Sequence, residues 1–138
     1  MRILRLHLQN VHALRNKWTI QFDQFPLYEA GLFAITGPTG GGKSSLLDAM
    51  IVALYGRVPR YGHNTPTELM TRHTAETLIE LDFAVQQGCF RARWNLRRAR
   101  GQATGRVQPA RHELQDLETN QTLDLRSSDV PKEVEKLT

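Results

Sequence analysis

The chain has 138 residues, 40% of them hydrophobic and 23% charged, the balance of one globular domain large enough to bury a core. A single cysteine, Cys89, excludes an internal disulfide framework and any multi-cysteine metal site, in keeping with a reducing cytoplasm; no apolar run approaches the ~20 residues a membrane-spanning helix needs. The net charge of +4 is uneven, because residues 91–111 hold seven arginines and no acidic residue, leaving the rest of the chain at −3.

Residues 1–8 alternate polar and apolar, so they read as a strand carrying Ile3, Leu4, Leu6 and Leu8, not as a signal peptide. Residues 10–16 read as a turn, and residues 18–22 as a second strand with Trp18, Ile20 and Phe22 inward. Pro26 and Gly31 punctuate the connection that follows. Leu32-Phe33-Ala34-Ile35 is then a continuous apolar run, the pattern of a parallel strand buried on both faces.

Gly37-Pro38-Thr39-Gly40-Gly41-Gly42-Lys43-Ser44 fits G-x-x-x-x-G-K-[ST], the phosphate-binding loop of P-loop NTPases. Behind it, Leu47, Met50, Ile51 and Leu54 fall at i, i+3, i+4 and i+7, the apolar stripe of a helix that stops near Tyr55-Gly56. Strand, glycine loop, helix is the order this chemistry requires. The loop lets backbone N–H groups converge on one anion at the positive end of the helix, while Pro38 has no N–H to give. Lys43 is expected to reach the β- and γ-phosphates and the Ser44 hydroxyl to bind Mg²⁺, with Ser45 adding an α-phosphate contact. Gly37 through Ser45 are thus the candidate site for ATP and Mg²⁺.

Residues 57–67 hold two prolines, a glycine and an asparagine, which implies a surface excursion; Thr67 is placed to cap a helical turn reaching Met70. Residues 79–85 and 90–96 alternate strictly, with Gln87-Gly88 as a two-residue hairpin turn. That register sets Val85 against Phe90, Phe83 against Ala92, Leu81 against Trp94, Asp82 against Arg93 and Ala84 against Arg91. Cross-strand carboxylates can therefore neutralise Arg93 and, diagonally, Arg91. Arg97, Arg98, Arg100 and Arg106 read as an exposed, mobile loop without acidic neighbours. Backbone phosphates of double-stranded DNA are the partner such guanidinium groups fit, with Arg91 and Arg93 as further candidates, and no base reading is implied. A solvated arginine loop is the other reading. Strands near 111–117 and 122–125 follow, a turn separates them at Thr119-Asn120, and Ser128 or Asp129 opens a last helix with Pro131 in its first turn.

A P-loop enzyme needs a second acidic motif on a buried strand. Leu78-Ile79-Glu80-Leu81-Asp82 is the only approach to one, and it alternates where a central parallel strand is continuously apolar. One strand and one helix cannot cover both faces of a P-loop sheet. The expected fold is therefore α/β, the first lobe of a larger P-loop ATPase, with a mixed sheet around a P-loop helix and an antiparallel β-subdomain. Its parts are residues 1–75 (strands, loop and helix), 76–126 (the antiparallel subdomain) and 127–138 (a last helix).

Taken together, residues 31–49, Glu68-Leu69-Met70-Thr71-Arg72-His73-Thr74-Ala75-Glu76, Phe90-Arg91-Ala92 with Arg97-Arg98-Ala99-Arg100, and Pro109-Ala110-Arg111-His112-Glu113-Leu114 resemble the N-terminal lobe of the SbcC family. These are coiled-coil DNA double-strand-break repair ATPases, distant relatives of the SMC proteins. The resemblance implies an ABC-ATPase-like N-terminal lobe, an incomplete half of a head split by a long coiled coil, with the glutamine loop, zinc-hook cysteines, signature motif and catalytic glutamate all outside these residues. No complete catalytic set is expected here, Lys43 serving to stabilise phosphate. It further implies ATP held between two protomers, a nuclease partner (SbcD) acting on DNA ends and hairpins, and a cytoplasmic, nucleoid-associated setting without a membrane. Met70 and Thr71 would lie on the base or ribose side. Relatives often carry a phosphate-touching arginine where this chain has His12, which reads as a surface histidine.

Two rival readings remain. A free-standing kinase would need an acceptor pocket, a lid and more parallel strands, none of which is found. A stand-alone nucleic-acid module with an incidental loop would bind DNA without nucleotide affinity.

Overall fold

The computed structural model describes residues 1–138, the side chain of Asn64 excepted. Alternation in the sequence produces a six-stranded sheet: β1 (Arg2–Val11), β2 (Leu14–Gln21), β3 (Glu76–Val85), β4 (Gly88–Arg97), β5 (Arg111–Asp116) and β6 (Gln121–Thr122). Their order is β2-β1-β3-β4-β5-β6, and every pairing is antiparallel. β1 and β3 are neighbours, so strands on both sides of the glycine loop share one sheet. Three helices accompany it, α1 (Lys43–Tyr55), α2 (Thr65–Leu69) and α3 (Val130–Leu137), with a 3₁₀ segment at Pro59–Asn64 ahead of α2.

Period-2 patterning divides the sheet into two chemistries. One face carries the rows Leu6, Leu81, Ala92, Leu114 and Leu8, Ile79, Trp94, His112. It packs with Ala49, Val52 and Ala53 of α1 and Val130 and Val134 of α3 into one buried cluster. The other face carries Arg5, Asp82, Arg91 in one row and His7, Glu80, Arg93, Glu113 in the next.

Several expectations are corrected. The run 32–35 is not a strand among the described residues: it has no sheet partner, and Leu32 is 93% exposed. A strand buried on both faces needs neighbours on both edges, and this antiparallel sheet offers none there. The α1 stripe is shifted for the same reason. Ala49, Val52, Ala53 and Leu54 are buried, whereas Leu47 is 56% exposed, so the helix is apolar on both sides and only one side is covered. Leu47 and Met50 instead line an open apolar groove of about 620 Å³ with Ile3, Phe22, Phe33 and Ile35. Trp18 stands opposite Leu8 on the inner face but is exposed, because β2 is the edge strand and no helix reaches it; its indole N–H donates to the Arg15 carbonyl (2.8 Å).

The hairpin also differs. Val85 pairs with Gly88, Phe83 with Phe90, Leu81 with Ala92 and Ile79 with Trp94, so the turn is Gln86-Gln87 and the register moves by two residues. The faces are unchanged by an even shift, but the charges re-pair, Asp82 with Arg91 and Glu80 with Arg93. Of residues 122–125 only Thr122 is in a strand, the two-residue β6, and β1 runs on to Val11. Gly56 ends α1 in the left-handed conformation (φ 72°), its N–H on the Val52 carbonyl at 2.8 Å. Asp129 occupies the N-cap of α3 without a side-chain cap bond; its carboxylate accepts from Arg126 at 3.0 Å instead. His112 is buried at the far end of α1, its Nε2 2.7 Å from the Ala53 carbonyl oxygen. Burial lowers its pKa, with that backbone bond pulling the other way.

Candidate nucleotide site

The glycine loop enters α1 through Gly42, which caps the helix at φ 91°, with Gly40 at φ 83°; both are left-handed positions that side-chain-bearing residues avoid. Space is tight there as well. A Cβ on Gly42 would lie 2.7 Å from Leu14 Cδ2, and one on Gly41 3.0 Å from the Pro38 carbonyl oxygen. The Gly41 N–H closes a turn on that same carbonyl (3.0 Å), and the Leu46 N–H on Gly42 (3.1 Å) starts the helix.

Lys43 folds back over this cradle. Its ammonium donates to the carbonyls of Gly37 (2.6 Å) and Pro38 (2.7 Å), so the charge sits at the mouth of the loop. Thr39, Gly40, Gly42, Lys43, Ser44 and Ser45 line a cavity of about 290 Å³, together with Ala13 from the β1–β2 turn. Ser44 is exposed and Ser45 buried. Glycines a Cβ would fill, an ammonium at the rim and a hydroxyl at the positive end of a 13-residue helix suit a polyphosphate with its metal ion.

A second cavity of about 520 Å³ adjoins through Ala13, with His12, Thr67, Glu68, Met70, Thr71 and Arg72 in its wall. Met70 and Thr71 are 4% and 5% exposed. Thr71 is tied to the turn twice, its N–H on the Asn10 carbonyl (3.0 Å) and its hydroxyl on that of His12 (2.7 Å).

Two sequence expectations are corrected here: the turn over residues 10–16 narrows to His12-Ala13 between β1 and β2, and His12 is half-buried and paired, not free at the surface. The His12 side chain is 20% exposed, and Nε2 lies 3.2 Å from the carboxylate of Asp48, itself 4% exposed on α1. Arg60 and the Tyr61 hydroxyl (3.2 Å) donate to the same oxygen. The Tyr61 hydrogen bond, and then the charge of Asp48, hold the Arg60 guanidinium more firmly protonated. Sequence reasoning misses this cluster. Its one trace is an aspartate inside an otherwise apolar helix segment.

The arginines separate into paired and unpaired. Arg91 makes a fork with Asp82 (2.6 and 2.9 Å) that holds its guanidinium more firmly charged. Arg5 joins them at 3.0 Å, as an ion pair lacking hydrogen-bond alignment. Arg93 lies 3.5 Å from Glu80 and Arg97 3.5 Å from Glu76, so the arginine loop does have an acidic neighbour. Arg98 donates to the carbonyls of Thr74 (3.2 Å) and Gly105 (3.1 Å), a structural role. The loop is closed by backbone bonds from Ala99 to Arg106 (2.8 Å) and from Gln108 to Arg97 (2.9 Å). Arg100 and Arg106 are exposed.

No helix among the described residues is long and apolar enough to cross a membrane, and none of their His, Cys, Asp and Glu side chains form a group of three able to hold a metal ion.

The model of the AAA domain family matches residues 5–135. The SbcC component of the nuclease SbcCD from Pseudomonas aeruginosa is 41% identical over 140 residues, covering 89% of this chain and 12% of the relative. That from Rhodobacter capsulatus is 37% identical over the whole chain and 13% of the relative. A probable DNA double-strand break repair Rad50 ATPase of Aquifex aeolicus is 35% identical over 66% of the chain and 9% of its own length. The chain thus spans about an eighth of the first two. Among solved structures, the SMC head domain from Thermotoga maritima superposes with a TM-score of 0.60 at 17% identity, covering 96% of this chain and 42% of that one.

Proposed function

This chain belongs to the AAA domain family, in the branch that holds the SbcC component of the SbcCD nuclease, and on that premise we propose that it is the ATP-binding N-terminal lobe of a DNA-repair ATPase head. The observation that carries this is the glycine cradle with the Lys43 ammonium held across its mouth. Residues Gly37 to Ser45 would take the phosphates, and Ser44 the Mg²⁺. Base and ribose would lie along the adjoining cavity, on the His12, Met70 and Thr71 side.

The lobe holds phosphate but does not hydrolyse alone. Asp82, the nearest approach to a second acidic motif, is engaged by Arg91 on the opposite face of the sheet from α1. The missing groups come from the remainder of the head and from a second protomer. The remainder docks on the open groove beside Phe33, Ile35 and Leu47, where covering exposed apolar surface is favourable. Closure of two such heads on ATP then regulates an SbcD-type nuclease partner at double-stranded DNA ends. Turnover by the chain alone is expected below about 0.1 s⁻¹, a hundredth of a typical enzyme's kcat. Robust ATPase activity that Lys43→Ala abolishes would contradict the division of labour.

For DNA, the exposed Arg100 and Arg106 are the favoured contacts, with Arg97, whose side chain stays 64% exposed beside a solvated Glu76. The forked Arg91, the less exposed Arg93 on a more buried Glu80 and the loop-clamping Arg98 are not. Replacing Arg97, Arg100 and Arg106 by Ala is expected to reduce the slope of log K against log salt by roughly two to three, about one per phosphate contact. An unchanged slope assigns the loop to solvent.

A further inference from the structure

Asp48 breaks the local rules of its own helix. It lies one turn beyond Ser44 in α1, 3% exposed, between Ser45 and Ala49, Val52, Ala53 on the covered side. Aspartate is a poor helix-interior residue, and a buried carboxylate is tolerated only with a full set of donors. All three donors lie outside the helix: His12 on the β1–β2 turn, Arg60 and Tyr61 in the 3₁₀ segment. The carboxylate therefore serves those segments and not α1.

The turn it grips is held in a constrained shape. Asn10 (φ 55°), His12 (φ 48°) and Asn16 (φ 69°) are all left-handed, a conformation that persists where surroundings over-determine it. The Asn10 amide donates to the Glu76 carbonyl (3.0 Å) and accepts the Asn16 N–H (2.9 Å), and the His12 N–H donates to the Leu69 carbonyl (2.8 Å). His12 and Ala13 then wall the larger cavity, Ala13 walls the phosphate cavity as well, and Leu14 sits against Gly42 at the helix cap.

We propose that Asp48 is a positioning residue for nucleotide binding: through His12 it fixes the turn that forms the shared wall of the two cavities and backs the last glycine of the loop. The proposal rests on the reading of the loop as a nucleotide site. Asp48 touches no phosphate; it acts through His12, Ala13 and Leu14.

The test is a calorimetric titration of the full chain with Mg-ATP at a temperature where circular dichroism shows each variant folded. Asp48→Asn is expected to bind about tenfold to a hundredfold more weakly, the equivalent of a lost charge-assisted hydrogen bond. His12→Gln should lose affinity in the same direction, and the double variant no more than the larger single loss, because the two groups act as one unit. Wild-type affinity in folded Asp48→Asn, even with a lowered Tm, overturns the proposal, as do losses that multiply. Should Asp48→Asn not fold, His12→Gln decides alone, a loss of about tenfold supporting the proposal and unchanged affinity overturning it. Absence of saturable binding by the wild type would defeat the nucleotide reading and this inference together. An indifferent Asp48→Asn beside a binding wild type defeats only the positioning role.

Discussion

Lys43→Ala is expected to cost at least about a hundredfold in Mg-ATP affinity, since a cation within a phosphate cradle supplies charge-assisted bonds of roughly 1.5–3 kcal/mol each. The geometry explains why the loss should be in binding and not in folding. Lys43 makes its two bonds to the carbonyls of Gly37 and Pro38 at a loop exposed to solvent, where water replaces them readily. Its far-UV spectrum and Tm should stay close to wild type, because the cap turn of α1 is made by the backbone of Gly42 and Leu46. An affinity unchanged by the substitution would mean that nucleotide is held elsewhere.

Trp94→Ala is expected to destabilise the chain by about 3–5 kcal/mol, the range for deleting a large buried aromatic side chain. Trp94 is 1% exposed, shares a row with Leu8, Ile79 and His112, and borders Tyr55, Gly56 and Pro131 at the far end of α1. A domain of this size has only about 5–15 kcal/mol in total. Chemical denaturation should therefore find the variant unfolded, or nearly so, in mild denaturant. A loss below ~1 kcal/mol would mean the site collapses around the gap, and that this row does not hold α1 to the sheet.

How far the sequence could be read depended on whether the partner of each segment lay within it. The shape of the glycine loop and the start of α1 were legible, because both are local: left-handed backbone angles at glycines and a helix opening at Lys43. The alternation of β3 and β4 was legible for the same reason. The hairpin register was not, since Gln86-Gln87 and Gln87-Gly88 are both two-residue turns, and an even shift keeps every apolar side chain on its face. That slip moves Asp82 from Arg93 to Arg91 and hands Arg93 to Glu80, so both arginines stay paired but with exchanged partners. The run 32–35 and the stripe Leu47, Met50, Ile51 carry a signal of burial that the described residues do not satisfy. The His12–Asp48–Arg60–Tyr61 cluster joins positions up to 49 residues apart in sequence, and no periodicity announces such a meeting. Only the oddity of an aspartate inside an apolar helix hinted at it.

The most direct measurement is a ¹⁵N NMR titration of the labelled chain with Mg-ATP, read at the loop amides and repeated with Lys43→Ala. The amides of Gly40, Gly41, Gly42, Lys43 and Ser44 should move together and saturably in the wild type, with those around Ala13 and Thr71 following, and should stay still in the variant. Loop amides that do not respond while resonances elsewhere in the chain do would contradict the account.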